Sequence, residues 1–147
     1  MALITYADID LNISGNTQYA VLKSLSQMAV ARGFVNDQAR YLQTLLLREK
    51  ESSTSFGCGV AIPHGKSAVV HQPFVLFARS AQGVDWQAED GELASCWICL
   101  GVPQTSASEQ IGMISKLCRK VIYPDFIAQI KSLDSAGIVT LLNATLA

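Results

Sequence analysis

A chain of 147 residues, half of them hydrophobic, can bury one real core, about two thirds of the surface its unfolded form would expose. Its 11 Lys+Arg against 12 Asp+Glu leave a net charge of -1, too little field to gather DNA or RNA. No linker, repeat or low-complexity tract divides it, so residues 1–147 are expected to form one domain.

The opening MALITYADID is acidic and lacks the basic start of a signal peptide. No apolar run approaches the roughly twenty residues of a membrane span. Cys58, Cys96, Cys99 and Cys118 are too sparse for a disulfide framework. The expectation is a soluble cytoplasmic protein with reduced thiols and no membrane insertion.

In chain order, residues 3–13 offer a short leading strand. NTQYAVLKSLSQMAVARG reads as a helix, with Asn16 as cap, Val21, Leu22, Leu25, Met28 and Ala29 as its stripe, and Gly33 as stop. FVNDQARYLQTLLLREKE repeats the pattern from an Asn36 cap, with Tyr41, Leu42, Leu45 and Leu46 as the stripe. Arg48 closes its last turn, where a cation suits the helix dipole. SSTSFGCGVAIPHG is a structured loop enclosing one short strand, VAI.

FVLFARS (74–80) and LASCWICLGV (93–102) read as buried strands. A third helix follows Pro103 in SASEQIGMISKLCRKVI, with a capping box from Ser106 to Glu109. PDFIAQIKSL and SAGIVTLLNATL complete the chain as short helices. Helices before, between and after strands give an α/β domain, a sheet with helices packed against it.

The chain has two histidines, and one sits inside GVAIPHGK. Pro63 keeps Ile62 extended, and Gly65 permits either a positive φ or a close approach by another part of the chain. His64 is therefore expected at a strand end with its ring held. Three roles fit such an imidazole: general base, metal ligand or phosphoryl acceptor. A metal is the weakest, since it wants three or four ligands and His71 is the one other imidazole.

The CWIC pair has redox or zinc spacing, but residues three apart on a strand face opposite ways; core packing is the expected role. For phosphoryl chemistry, one ring nitrogen must be exposed while the other donates to a fixed acceptor. Arg48, Thr54, Lys66 and the Gly57–Gly59 amides are the candidate donors. Spacing alone equally allows an ordinary loop histidine. In the third helix, Gln110 lies beside the buried stripe of Met113, Ile114, Leu117 and Val121, where its amide needs a polar partner.

REKESSTSFGCGVAIPHGK resembles the signature of the fructose–mannitol class of enzyme IIA components of the bacterial sugar phosphotransferase system, and the likeness extends over essentially the whole chain. The resemblance implies a mixed β-sheet flanked by α-helices, without membrane segments; no cofactor and no metal are expected. It implies that His64 takes a phosphoryl group from the histidine-containing phosphocarrier protein. The group then passes to a cysteine of a IIB partner, which phosphorylates the sugar that a membrane IIC component imports.

The family's arginine falls on Arg48 and its threonine on Thr54. Where most members carry a second histidine, this chain has Gln110, as galactitol-type members do; the substitution leans away from mannitol. Phe56 and Trp86 are candidates for an apolar docking rim. The alternatives are a regulatory relative like the nitrogen-related branch, or a transfer-inactive domain acting by protein–protein interaction.

Overall fold

The computed structural model describes residues 3–147. Helix α1 (Gln18–Ala31) is capped by Thr17, whose hydroxyl accepts the Ala20 N–H at 3.1 Å. Asn16, the expected cap, comes one residue too early. The chain turns at Gly15, with φ 119°, and packs so tightly on Ala20 that a Cβ there would stand 2.8 Å away. The helix stops at Gly33 as expected. With φ 74° this residue donates to Val30, and Phe34 donates to Ala29, closing the last turn.

Helix α2 (Gln38–Glu51) is capped by Asp37, which accepts from Arg40. The expected cap, Asn36, instead has its N–H tied to Val69, beside the Val35–Val70 bridge.

The leading segment forms a single 3-10 turn and the two-residue strand β1 (Ile9–Asp10). The glycine-rich stretch holds three short strands rather than one: β2 (Ser55–Gly57), β3 (Val60–Ala61) and β4 (His64–Ser67). The two apolar runs are β5 (Phe74–Val84) and β6 (Ala94–Pro103), with β5 reaching further than its apolar part. Helices α3 (Ala107–Lys120), α4 (Pro124–Ser132) and α5 (Ser135–Leu146) follow. Ser106 precedes α3 but makes no capping bond, because its backbone lies at φ -111°, ψ 42°, outside the extended region a cap adopts.

Strands β5 and β6 pair antiparallel at the centre; β1 runs parallel to β5, β3 and β4 run parallel to β6, and β2 runs antiparallel to β3. This is a single α/β domain with a mixed sheet surrounded by helices. Both faces are covered, so alternate residues of β6 enter different cores. Trp97 and Cys99 pack with residues of α1 and α2, whereas Cys96, Ile98 and Leu100 pack with α3, α4 and α5. The CWIC thiols are thereby separated, and burial pushes Cys99 up to about 12. Among the described residues, no helix is long and apolar enough to cross a membrane.

One irregularity positions the site. Ala61 pairs with Trp97 and His64 with Leu100, so β3 and β4 form one extended run along β6, interrupted at Ile62 and Pro63. Proline has no N–H to give the ladder, though its carbonyl still accepts the Leu100 N–H at 3.0 Å. Ile62 donates its N–H to Thr54 at 3.1 Å. Its carbonyl is left for a side chain.

Candidate active site

That side chain is His64. Its Nδ1 lies 2.8 Å from the Ile62 carbonyl, which can only accept, so Nδ1 carries the proton. Arg48 reaches it from the last turn of α2 and donates Nε–H to Nε2 at 3.2 Å. The two bonds define one neutral tautomer, with the Nε2 lone pair toward the cleft. Burial lowers the pKa of the ring, which is 9% exposed; the Ile62 bond opposes this, the Arg48 charge adds to it, and Glu51 opposes it. The net direction is below 6.5, so the ring is largely neutral at neutral pH.

The cleft has a volume of about 400 Å³. Thr44, Leu47, Arg48 and Glu51 line it from α2, His64, Gly65 and Lys66 from β4, and Gln110 from α3. Gly65 is needed for close approach rather than for a positive φ. A Cβ on it would lie 2.6 Å from Thr44 Cγ2, and Thr44 is itself bonded to the Arg40 carbonyl. Helix α2 therefore rests directly on β4 there, which brings Arg48 within reach of His64. Arg48 is braced further by Nη1, which donates to the Ser52 carbonyl at 2.9 Å.

Gln110 sits in the first turn of α3, half-buried, and its Oε1 is buried without a partner among the described residues. A buried acceptor left empty costs roughly 1–3 kcal/mol, and the Gln110 side chain lines the same cleft as His64.

Residues 2–144 match the family described as "Phosphoenolpyruvate-dependent sugar phosphotransferase system, EIIA 2". The chain belongs to this family. It is 57% identical over 146 residues to the PTS system fructose-like EIIA component of Escherichia coli (strain K12), covering 99% of each chain. It is 36% identical over 109 residues to the fructose-specific EIIA component of Haloferax volcanii, covering 74% of this chain and 71% of that one. The crystal structure of nitrogen regulatory protein IIA-Ntr from Neisseria meningitidis superposes with a TM-score of 0.86 at 27% identity, covering 99% of this chain and 97% of that one.

As an EIIA-type phosphotransfer domain, the protein gathers His64, Arg48, Lys66 and Gln110 around one cleft, while Thr54 stays out of it. Thr54 is 3% exposed, held by Glu49 and by the Trp86 indole N–H, which donates to its hydroxyl at 3.2 Å. Trp86 is fully buried against Trp97 and forms no rim. Phe56 is exposed but borders a different hollow, with Ser52, Ser53, Gln87 and Asp90.

Two of the glycine-loop amides are committed elsewhere: Gly57 donates to Ser55 Oγ and Cys58 to Asp90. His71 is exposed, on the connection before β5.

Exposed apolar surface by the site comes instead from Leu47 at the cleft and from Ile111, the neighbour of Gln110, at 56% and 66% exposure. Leu47 carried a sequence signal. In three consecutive leucines on one helix, the stripe cannot bury all of them.

Proposed function

We propose that this protein is a phosphocarrier that accepts a phosphoryl group on Nε2 of His64 from the histidine-containing phosphocarrier protein. It hands the group to a IIB partner, to a cysteine, during sugar or sugar-alcohol uptake through a membrane IIC component. The observation that carries the reading is the pair of bonds on the ring: Nδ1–H donates to the Ile62 carbonyl, and Nε2 accepts from Arg48 on the wall of the cleft that both residues line.

The Nε2 lone pair attacks phosphorus in line as the N–P bond of the donor phosphohistidine breaks, and the donor imidazole recovers that electron pair. The Nδ1 proton stays on the Ile62 bond. As the Nε2 lone pair is taken up, the Arg48 Nε–H turns to a phosphoryl oxygen, where a guanidinium suits the charge. Gln110 rotates its amide to present NH₂ to the same oxygens. Bond broken and bond formed are alike, so the protein's task is positioning and exclusion of water. Leu47 and Ile111 supply apolar surface for docking the two partners in turn.

The regulatory reading draws support from the likeness to IIA-Ntr. The transport reading draws more, from the higher identity to a fructose-like component.

Intact-mass spectrometry after incubation with phosphoenolpyruvate, enzyme I and the phosphocarrier protein tests the proposal. One acid-labile phosphoryl group is expected on the wild type and none on His64→Ala. Normal labelling of that variant would remove His64 from the role. Subsequent discharge to a IIB protein separates transport from regulation.

A further inference from the structure

Glu49 is 7% exposed and lies in the last turn of α2, the negative end of the helix dipole. Among the described residues the one ion pair joins Arg32 to Asp8, so no cation pairs with this carboxylate. Burying a carboxylate in that way is unfavourable unless its bonds accomplish something. Both bonds go to one residue: Oε1 accepts the Thr54 N–H at 2.9 Å, and Oε2 accepts the Thr54 hydroxyl.

From Thr54 the chain of contacts runs onward to the nucleophile. The Thr54 carbonyl takes the Ile62 N–H, and the Ile62 carbonyl takes the Nδ1–H of His64.

We infer that Glu49 is a positioning residue: by clamping Thr54 it fixes the Ile62 carbonyl and hence the tautomer of His64. The inference rests on the reading of His64 as phosphoryl acceptor. A glutamine does not substitute for the carboxylate. Its one oxygen can accept the Thr54 N–H, but its NH₂ then donates to a hydroxyl that already receives the Trp86 indole N–H. The hydroxyl hydrogen is left buried without an acceptor. Thr54 then loosens, the Ile62 carbonyl moves off Nδ1, and the ring samples the tautomer whose Nε2 carries the proton and cannot attack.

The test combines long-range ¹H–¹⁵N spectra of the His64 ring with the rate of acceptance from phosphorylated phosphocarrier protein. The wild type is expected to show the Nδ1–H tautomer, and Glu49→Gln a mixture with Nε2–H. Its maximal acceptance rate falls about tenfold, short of the roughly 100-fold that a 1 Å misplacement of the reacting group can cost, with KM for the phosphocarrier protein unchanged. Thr54→Val gives the same reading without altering Glu49, should the glutamine variant not fold, and Thr54→Ser restores wild-type behaviour.

A folded Glu49→Gln or Thr54→Val protein with wild-type tautomer and rate overturns the inference. Because the spectra need no phosphoryl donor, a wild type that accepts no phosphoryl group would defeat the phosphocarrier reading while the tautomer result still decides the role of Glu49.

Discussion

Two sides of the cleft meet at Nε2 of His64, the proposed acceptor nitrogen. On the side built by α2 and β4, Nδ1 of His64 donates to Ile62, Nε2 accepts from Arg48, and Arg48 is braced on Ser52. On the side built by α3, Ser106 caps nothing, and Gln110 keeps a buried Oε1 with no partner among the described residues. The first side holds the His64 ring before any partner arrives. In the proposed transfer only the Arg48 Nε–H has to shift, from Nε2 to a phosphoryl oxygen, so little reorganisation is needed there. The second is unsatisfied at rest, but its empty atom is an acceptor, as phosphoryl oxygens are. Gln110 therefore has to turn its amide and offer NH₂ to the proposed cargo. In the proposed mechanism the nucleophile thus belongs to the sheet, and adjustment to the cargo belongs to the helix.

Replacing Arg48 tests that division most severely. Arg48→Gln is expected to lower the acceptance rate roughly 100-fold, the usual scale for removing one donor to developing charge, in single-turnover transfer from the phosphocarrier protein. A loss no larger than that of a Gln110 variant would reverse the roles of the two sides.

Gly65→Ala attacks the seat of α2 on β4. With Thr44 Cγ2 2.6 Å from the added methyl, overpacking is expected to cost about 1–3 kcal/mol. It should also part Arg48 from His64, read as a lower urea midpoint together with slower acceptance. Gln110→His is milder: acceptance persists and its rate changes by less than about tenfold, because either side chain can hydrogen-bond the phosphoryl oxygens. Complete loss of labelling would mean that the α3 side is built around glutamine after all.

The pH response is the smallest effect and separates the two sides by titration. The folded ring binds its proton less readily than an ordinary imidazole at 6.5, so the unfolded chain takes up the proton first as pH falls. The His64 contribution to stability is therefore complete above about 6.5 and is lost as pH drops through the folded value. Acceptance should be flat at neutral pH and fall at a midpoint below 6.5. Arg48→Gln raises that midpoint by removing a lowering charge. Urea midpoints and acceptance rates measured on either side of that value check both, with Gln110→Ala expected to leave the midpoint in place.

Much of this was legible in the chain. The stripes of α1 and α2, the stop at Gly33, the two apolar strands and the three last helices follow from local periodicity and backbone chemistry. So does the separation of Cys96 from Cys99, because a strand alternates its faces whatever its partners are. The held histidine after Pro63, with Arg48 and Gln110 as companions, came from residue types in a short motif and its likeness to a family.

Other features required the assembled molecule. The caps moved to Thr17 and Asp37 because Gly15 packs on Ala20 and Asn36 is tied to Val69, contacts that a local pattern does not contain. Trp86 and Phe56 were equally apolar in the sequence, and only packing sent one into the core and the other to a separate hollow. Sequence by itself determined which groups this protein has for its chemistry and which segments carry them. Tertiary structure alone decided which nitrogen of His64 holds the proton. That choice depends on a carbonyl left over where proline interrupts a ladder, and on an arginine brought from another helix by a glycine with no side chain in the way.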